Sequence, residues 1–280
     1  KVKEVALDLA TAVCTILWEN GVQARFFIPA EGNGGCFRFV NLPDTLSPEL
    51  LAPLYQGRVT ESDHQPGVND LSALGYQSGT IISPAPGRLL YRQQAWGDVS
   101  YEIGLQWEQP HTGVLEGGYY VTSKGTWYSG DTGRADHLNI SFDEALASHQ
   151  NWWEQYWKQS SVSLPDTLLE RQWYLEMYKF AAASRKNAPP ICLQAIWTAD
   201  NGETPPWRGD FHSDLNTQLS YWAGYTANHL EESAVFTDWL WKIKENSEQF
   251  TRQFFQVEGL NVPCIATLTG QPIGGWSPYS

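Results

Sequence analysis

Asn139-Ile140-Ser141-Phe142-Asp143-Glu144 is where this chain changes character. Ser141 is placed to cap a helix, because its hydroxyl can accept a backbone N–H of the first turn. Asp143 and Glu144 suit the positive end of the helix dipole. Downstream, Ala145, Leu146, His149, Trp152, Trp153, Tyr156 and Trp157 recur at helical spacing. Upstream, the period is two. Residues 1–10 alternate Val5, Leu7 and Leu9 with charge, and strands are expected again at 11–18, 23–28, 35–40, 88–94, 100–108 and 118–128. Asn20-Gly21, between two strand-like runs, signals a hairpin turn. Residues 42–86, with Pro and Gly throughout, read as an elaborated loop with a short helix near 70–74.

Beyond Ser141 the helical period persists. Residues 160–164 break the first helix, and Pro165-Asp166 opens a second that runs to about Arg185, with Leu168, Leu169, Trp173, Leu175, Tyr178 and Ala182 along it. A third helix is expected from 216 to about 230, with Leu219, Trp222, Thr226 and Leu230 inside. A fourth is expected over about 233–255, with Phe236, Leu240, Ile243 and Phe250 inward. Strands first and helices after predict two domains rather than an alternating α/β fold.

Composition narrows the partners. The formal net charge is −13 and no basic run is present. Nucleic acid is therefore not an expected partner, since it demands clustered Lys and Arg. No apolar run reaches the length of a membrane-spanning helix, so membrane insertion is not expected. Cys14, Cys36, Cys192 and Cys264 lack the spacing of a zinc site or a disulfide framework and read as core thiols. No metal or cofactor is expected, because Gly32 to Gly35 lack the helix that a phosphate loop needs. Of 14 Trp, ten lie from Trp152 to Trp276, a density suited to sugar stacking and to a large helical core alike.

The chemistry concentrates in Pro205-Pro206-Trp207-Arg208-Gly209-Asp210-Phe211-His212-Ser213-Asp214-Leu215-Asn216. His212, Asp214 and Asn216 recur at every second residue, which in extended backbone puts all three on one side. An imidazole, a carboxylate and an amide beside aromatic surface suit a sugar-cleaving site. A loop whose polar groups cap the next helix fits the same residues, and Asp214 would be that cap.

Several separate motifs resemble, in order, the family 95 glycoside hydrolases, whose founding activity is α-L-fucosidase. They are Trp152-Trp153-x3-Trp157, Ser163-Leu164-Pro165-Asp166, Leu193-Gln194-x2-Trp197, the Pro-Pro-Trp-Arg-Gly-Asp run and Asn216 to Tyr221-Trp222. Leu7-Asp8-Leu9-Ala10-Thr11-Ala12 adds a match upstream. The resemblance implies a β-sandwich over 1–135, a helical linker over 136–164 and the first part of an (α/α)6 barrel over 165–280. The chain then reads as a piece of a longer bacterial protein, periplasmic or secreted, with an incomplete barrel that by itself is expected to be inactive.

The resemblance also implies chemistry. The family inverts the anomeric centre, with a Glu as general acid and an H-x-N-x-N segment that holds the attacking water, activated by an Asp far downstream. The Glu and that Asp would fall after Ser280. His212 matches the sugar-contacting His and Asn216 the second Asn. Asp214 stands where the first Asn is expected, a departure at a catalytic position. Unlike Asn, Asp can take a proton from water. Asp214 is accordingly read as the general base, with Asn216 orienting the water through its carbonyl oxygen. Trp197 and Trp207 are candidates to stack on a sugar face, or for the core. Arg208 and Asp210 could hold sugar hydroxyls, pair with one another or brace the loop. Gln194 is a candidate hydroxyl donor and Trp276 a candidate cleft wall. His229 is read as a dipole partner at a helix C-terminus.

The expected activity is an inverting exo-glycoside hydrolase acting on an oligosaccharide or polysaccharide with terminal α-L-fucose or a related sugar such as L-galactose. A carbohydrate phosphorylase of similar architecture and a non-catalytic sugar-binding protein are the competing classes.

Overall fold

The computed structural model describes residues 1–30, 32–52, 75–125, 138–186, 188–193, 195 and 209–273. The short helix expected near 70–74 lies outside them, as do the candidate site residues Gln194, Trp197, Trp207, Arg208 and Trp276. The chain divides into two compact units, one of strands plus a helix through Lys158 and one from Gln159 onward.

The first unit holds β1 (Val2–Asp8), β2 (Val13–Trp18), β3 (Gln23–Phe27), β4 (Gly34–Val40), β5 (Thr80–Ala85), β6 (Arg88–Gln94), β7 (Ser100–Glu108), β8 (Leu115–Lys124) and α1 (Phe142–Gln159). The strands form one antiparallel sheet in the order β1-β2-β3-β4-β8-β7-β6-β5, two meanders joined where β4 pairs with β8. An all-antiparallel β region followed by helices agrees with a sandwich-then-helical reading, although the hydrogen bonds run through a single continuous sheet.

Local sequence accounts for the turns. At the β2–β3 turn, Gly21 adopts φ 84°, a conformation open to glycine, while Trp18 N–H donates to the Val22 carbonyl at 2.9 Å. At the β4–β8 seam, any side chain at Gly117 would overlap the Gln106 carbonyl and the Phe37 ring. β5 lies in the stretch expected to be loop. Its residues are all exposed and it contains Pro84. An edge strand pairs on one side only, so it tolerates Pro and needs no continuous apolar pattern.

α1 starts as its sequence dictates. Glu144 N–H donates to Ser141 Oγ at 3.3 Å, and Ser141 N–H donates back to Glu144 Oε2 at 3.0 Å, closing a capping box. The expected face is buried: Phe142, Ala145, His149, Trp153 and Tyr156 turn inward. Phe142 and Ala145 pack with Val13, Phe27 and Cys36, so α1 covers one face of the sheet. Burial pushes the Cys36 thiol up to about 12, as befits a core thiol. Phe37, Leu105 and Leu115 form a separate core that Cys36, the neighbouring residue, does not join, as strand alternation requires.

The second unit holds α2 (Thr167–Ala183), β9 (Phe211–His212), α3 (Asn216–Thr226), α4 (Leu230–Lys242), α5 (Lys244–Phe250) continued by a π-helical turn over Thr251–Phe255, and β10 (Ile265–Ala266). Asp166 caps α2, accepting from the backbone N–H of Leu168 and Leu169 at 2.9 and 3.2 Å. Phe180, Ile191, Tyr221 and Val235 form one cluster, and Phe211, Trp239 and Ile243 another. Gly224 lets α3 approach its neighbours, since a Cβ there would collide with Ser233 and Phe180.

The inward face of α3 differs from expectation. α2 buries Met177, Phe180 and Ala181 while Leu168 is 72% exposed. α3 buries Thr217, Tyr221 and Gly224, leaving Leu219, Trp222 and Thr226 outside. Both helices are apolar on more than one side, so periodicity alone does not choose the buried stripe. The third helix also ends earlier than expected. Asn228, at φ 62°, terminates it while His229 N–H donates to the Gly224 carbonyl at 2.9 Å, the bond pattern of a Schellman stop. Leu230 therefore opens α4 and is exposed. The fourth helix is interrupted near Ile243 and ends at Gln256, φ 59°, while Ile243 and Phe250 are buried as expected. No helix among the described residues is long and apolar enough to cross a membrane.

Candidate active site

β9 and β10 form a two-residue ladder, pairing His212 with Ile265 and Phe211 with Ala266. Flanking bonds extend its hold. Leu193 N–H donates to the Asp210 carbonyl at 3.0 Å and Ser213 N–H to the Cys264 carbonyl at 2.7 Å. Phe211 faces inward, its ring 4.8 Å from that of Trp239. By alternation Asp210 and His212 share the other side. His212 Nε2 lies 3.2 Å from Asp210 Oδ2, with the two side chains 12% and 9% exposed.

The alternation stops there. Residues 213–215 form a turn and Asn216 begins α3, so the backbone is not stretched through the whole 212–216 segment as expected. The period of two thus joins His212 to Asp210 rather than aligning it with Asp214 and Asn216 along a strand. The cause is the helix start: Leu219 N–H already bonds the Leu215 carbonyl at 2.9 Å, and Gln218 Nε2 donates to the Ser213 carbonyl at 2.6 Å, which curls the chain.

Asp214 is exposed in the turn, and Asn216 is exposed at the first position of α3. Leu215 holds the N-cap position, with no side-chain cap bond, so Asp214 does not cap α3. Asp214 does lie beside Cys264. Partial burial, and then the Asp214 charge, push that thiol's titration up. The sequence offered Asp210 to sugar hydroxyls, to Arg208 or to bracing of the loop, and not to the bond with His212 that the structure shows. The signal was present in the two-residue spacing, read one step too late.

His229 was expected at a helix C-terminus. It occupies the N-cap position of α4 and is completely buried, and burial pushes its titration down. Nearby, Glu232 is 6% exposed. Burial, followed by the neighbouring Glu231 charge, raises its carboxyl above the ordinary range. A carboxyl with a raised folded-state pKa contributes stability that is complete below the unfolded value and lost as pH climbs through the folded one. Glu232→Gln should therefore leave stability nearly unchanged at about pH 4 and increase it at about pH 8. Urea midpoints of both proteins at the two pH values check this, and equal differences at both would contradict it.

Residues 135–277, just over half of the chain, match the sequence model of the glycosyl hydrolase family 95 catalytic domain, and the chain belongs to that family. A 46-residue stretch is 39% identical to "Probable alpha-fucosidase A" of Aspergillus niger, covering 16% of this chain and 6% of that protein. The chain thus aligns with only a small part of that relative's length.

Proposed function

We propose that the protein to which this chain belongs is an inverting exo-glycoside hydrolase that removes a terminal sugar, α-L-fucose or a related sugar, from glycans. The observation that carries this reading is that the catalytic-domain match spans the 212–216 segment, where Asp214 and Asn216 are both exposed. In this reading Asp214 takes a proton from the attacking water as Asn216 orients it through its amide oxygen. A carboxylic acid supplied by a later part of the barrel protonates the leaving oxygen across the ring, at the roughly 6.5–9.5 Å carboxyl separation of inverting enzymes. His212 contacts the sugar. The helices from Thr167 onward are the opening part of an (α/α)6 barrel, and Trp197, Trp207, Arg208, Gln194 and Trp276 complete the sugar site.

A panel of aryl glycosides, including α-L-fucoside and the matching L-galactoside, tests this on the full-length protein. Release of the aryl group without phosphate, with the inverted anomer seen first by proton NMR, is the expected result. A requirement for phosphate would make it a phosphorylase, and binding without any turnover would make it a sugar-binding protein.

A further inference from the structure

Asp214 meets solvent from a turn, and the peptide that precedes it sets its direction. Gln218 Nε2 donates to the Ser213 carbonyl at 2.6 Å. That carbonyl belongs to the peptide unit joining Ser213 to Asp214. The unit is planar and trans, so its N–H points the opposite way. There the Asp214 main chain hydrogen-bonds the Cys264 sulfur in the sense that favours the thiolate, as a donated N–H does. One peptide plane is thus held at both edges, by an amide on α3 and by the thiol just ahead of β10.

The flanking bonds make that plane the joint of the segment. Ser213 N–H is tied to the Cys264 carbonyl at 2.7 Å, continuing the β9–β10 ladder. On the far side the Leu215 carbonyl accepts from Leu219 N–H at 2.9 Å, inside the first turn of α3. Among the described residues the Asp214 carboxylate makes no hydrogen bond or ion pair of its own, so its direction comes from the backbone. Asn216 and Gln218 stand at the first and third positions of α3. Gln218 therefore links the helix that carries the water-orienting amide to the peptide that aims the carboxylate.

We propose that Gln218 is a positioning residue: by holding the Ser213–Asp214 peptide plane against α3, it fixes the Asp214 carboxylate relative to the Asn216 amide, so that both meet the same water. This rests on the reading of Asp214 as the general base and deepens it. The geometry of a base and its water is unforgiving, since a displacement of about 1 Å costs on the order of 10²-fold in rate.

The test uses the full-length protein and an aryl glycoside that the wild type cleaves. Gln218→Met keeps the length of the side chain and loses the donor. It should lower kcat by roughly 10–10²-fold. KM should stay within about twofold, because no group that touches the sugar is removed. Gln218→Glu, when ionised, also loses the donor, yet an acid in the first turn of a helix is favoured by its dipole. Its kcat should fall by a similar factor while its thermal midpoint stays at or above that of the wild type, a separation that a mere brace of the helix start would not give. In Asp214→Asn, where no base remains to be aimed, adding Gln218→Met should cost less than about threefold more. A kcat within about threefold of wild type in both Gln218 variants, or the full loss persisting in the Asp214→Asn background, overturns the proposal. A wild type that cleaves no aryl glycoside, or an Asp214→Asn protein that keeps wild-type turnover, overturns instead the reading on which the proposal stands, and the proposal falls with it.

Discussion

Asp214→Asn in the full-length protein is expected to lower kcat by roughly 10²–10⁴-fold, the range over which a positioned general base contributes. That loss corresponds to about 3–5 kcal/mol of transition-state stabilisation. The substitution keeps the shape of the side chain and removes only its capacity to take a proton. Asp214 is exposed in a turn and does not cap α3. The change should therefore shift stability by no more than about 0.5 kcal/mol, as is usual for surface sites. An unchanged thermal midpoint beside a collapsed kcat would separate chemistry from folding. The opposite result is equally informative. Asn at this position would give the segment two Asn, as in the H-x-N-x-N pattern of the family it resembles. Wild-type turnover in Asp214→Asn would then mean that another carboxylate activates the water and Asp214 only orients it. Steady-state kinetics on an aryl glycoside that the wild type cleaves decides between the two.

Sequence patterning located the change from strands to helices near Ser141, because an N-cap signal and a change of hydrophobic period coincide there, whereas the two compact units divide after Lys158. Within the sheet, strands of mixed burial such as β6 and β7 were legible to the residue. β5 was not, because Thr80-Ile81-Ile82-Ser83-Pro84-Ala85 carries no apolar–polar alternation, which the equally exposed edge strand β1 does carry. The buried face of α3 was misassigned because apolar residues lie on more than one side of it. Leu219 and Trp222 are as apolar as Tyr221, and only tertiary packing distinguishes them. In the candidate site, residue types are legible in the sequence and their geometry is not. His212, Asp214 and Asn216 declare their types in the sequence, but where the strand gives way to a helix depends on the short β9–β10 ladder, whose partner strand lies some fifty residues away. That long-range pairing is what joins Asp210, rather than Asp214, to His212.

Arg38→Ala is expected to destabilise the β unit by about 3 kcal/mol, at the lower edge of what removing one partner of a buried ion pair costs. Arg38 on β4 is 15% exposed and gathers three interactions. Its terminal nitrogens grip Asp143 at the start of α1 at 2.8 and 2.9 Å, a bidentate fork. Its Nε lies 2.6 Å from Glu116 Oε1 on β8, close enough for a strong ion pair although the N–H is not aimed along the contact. Its guanidinium also sits over the Phe142 ring, 4.2 Å from the centroid. These arms are unequal. The Asp143 side chain is 71% exposed, so solvent screens that pair, and Asp143→Ala should cost no more than about 1 kcal/mol. Glu116 is 18% exposed, and without Arg38 it would keep a charge in a poorly hydrated place. Arg38→Lys should fall between the two, since an ammonium keeps the charge but loses the fork and the stacking. At roughly 2–4 °C per kcal/mol for a unit of this size, Arg38→Ala should lower the melting midpoint by about 6–12 °C. A double-mutant cycle with Glu116→Gln should recover part of the loss, because the stranded charge would be gone. A single substitution at Arg38 no worse than that at Asp143 would show that the sheet-side pair contributes nothing.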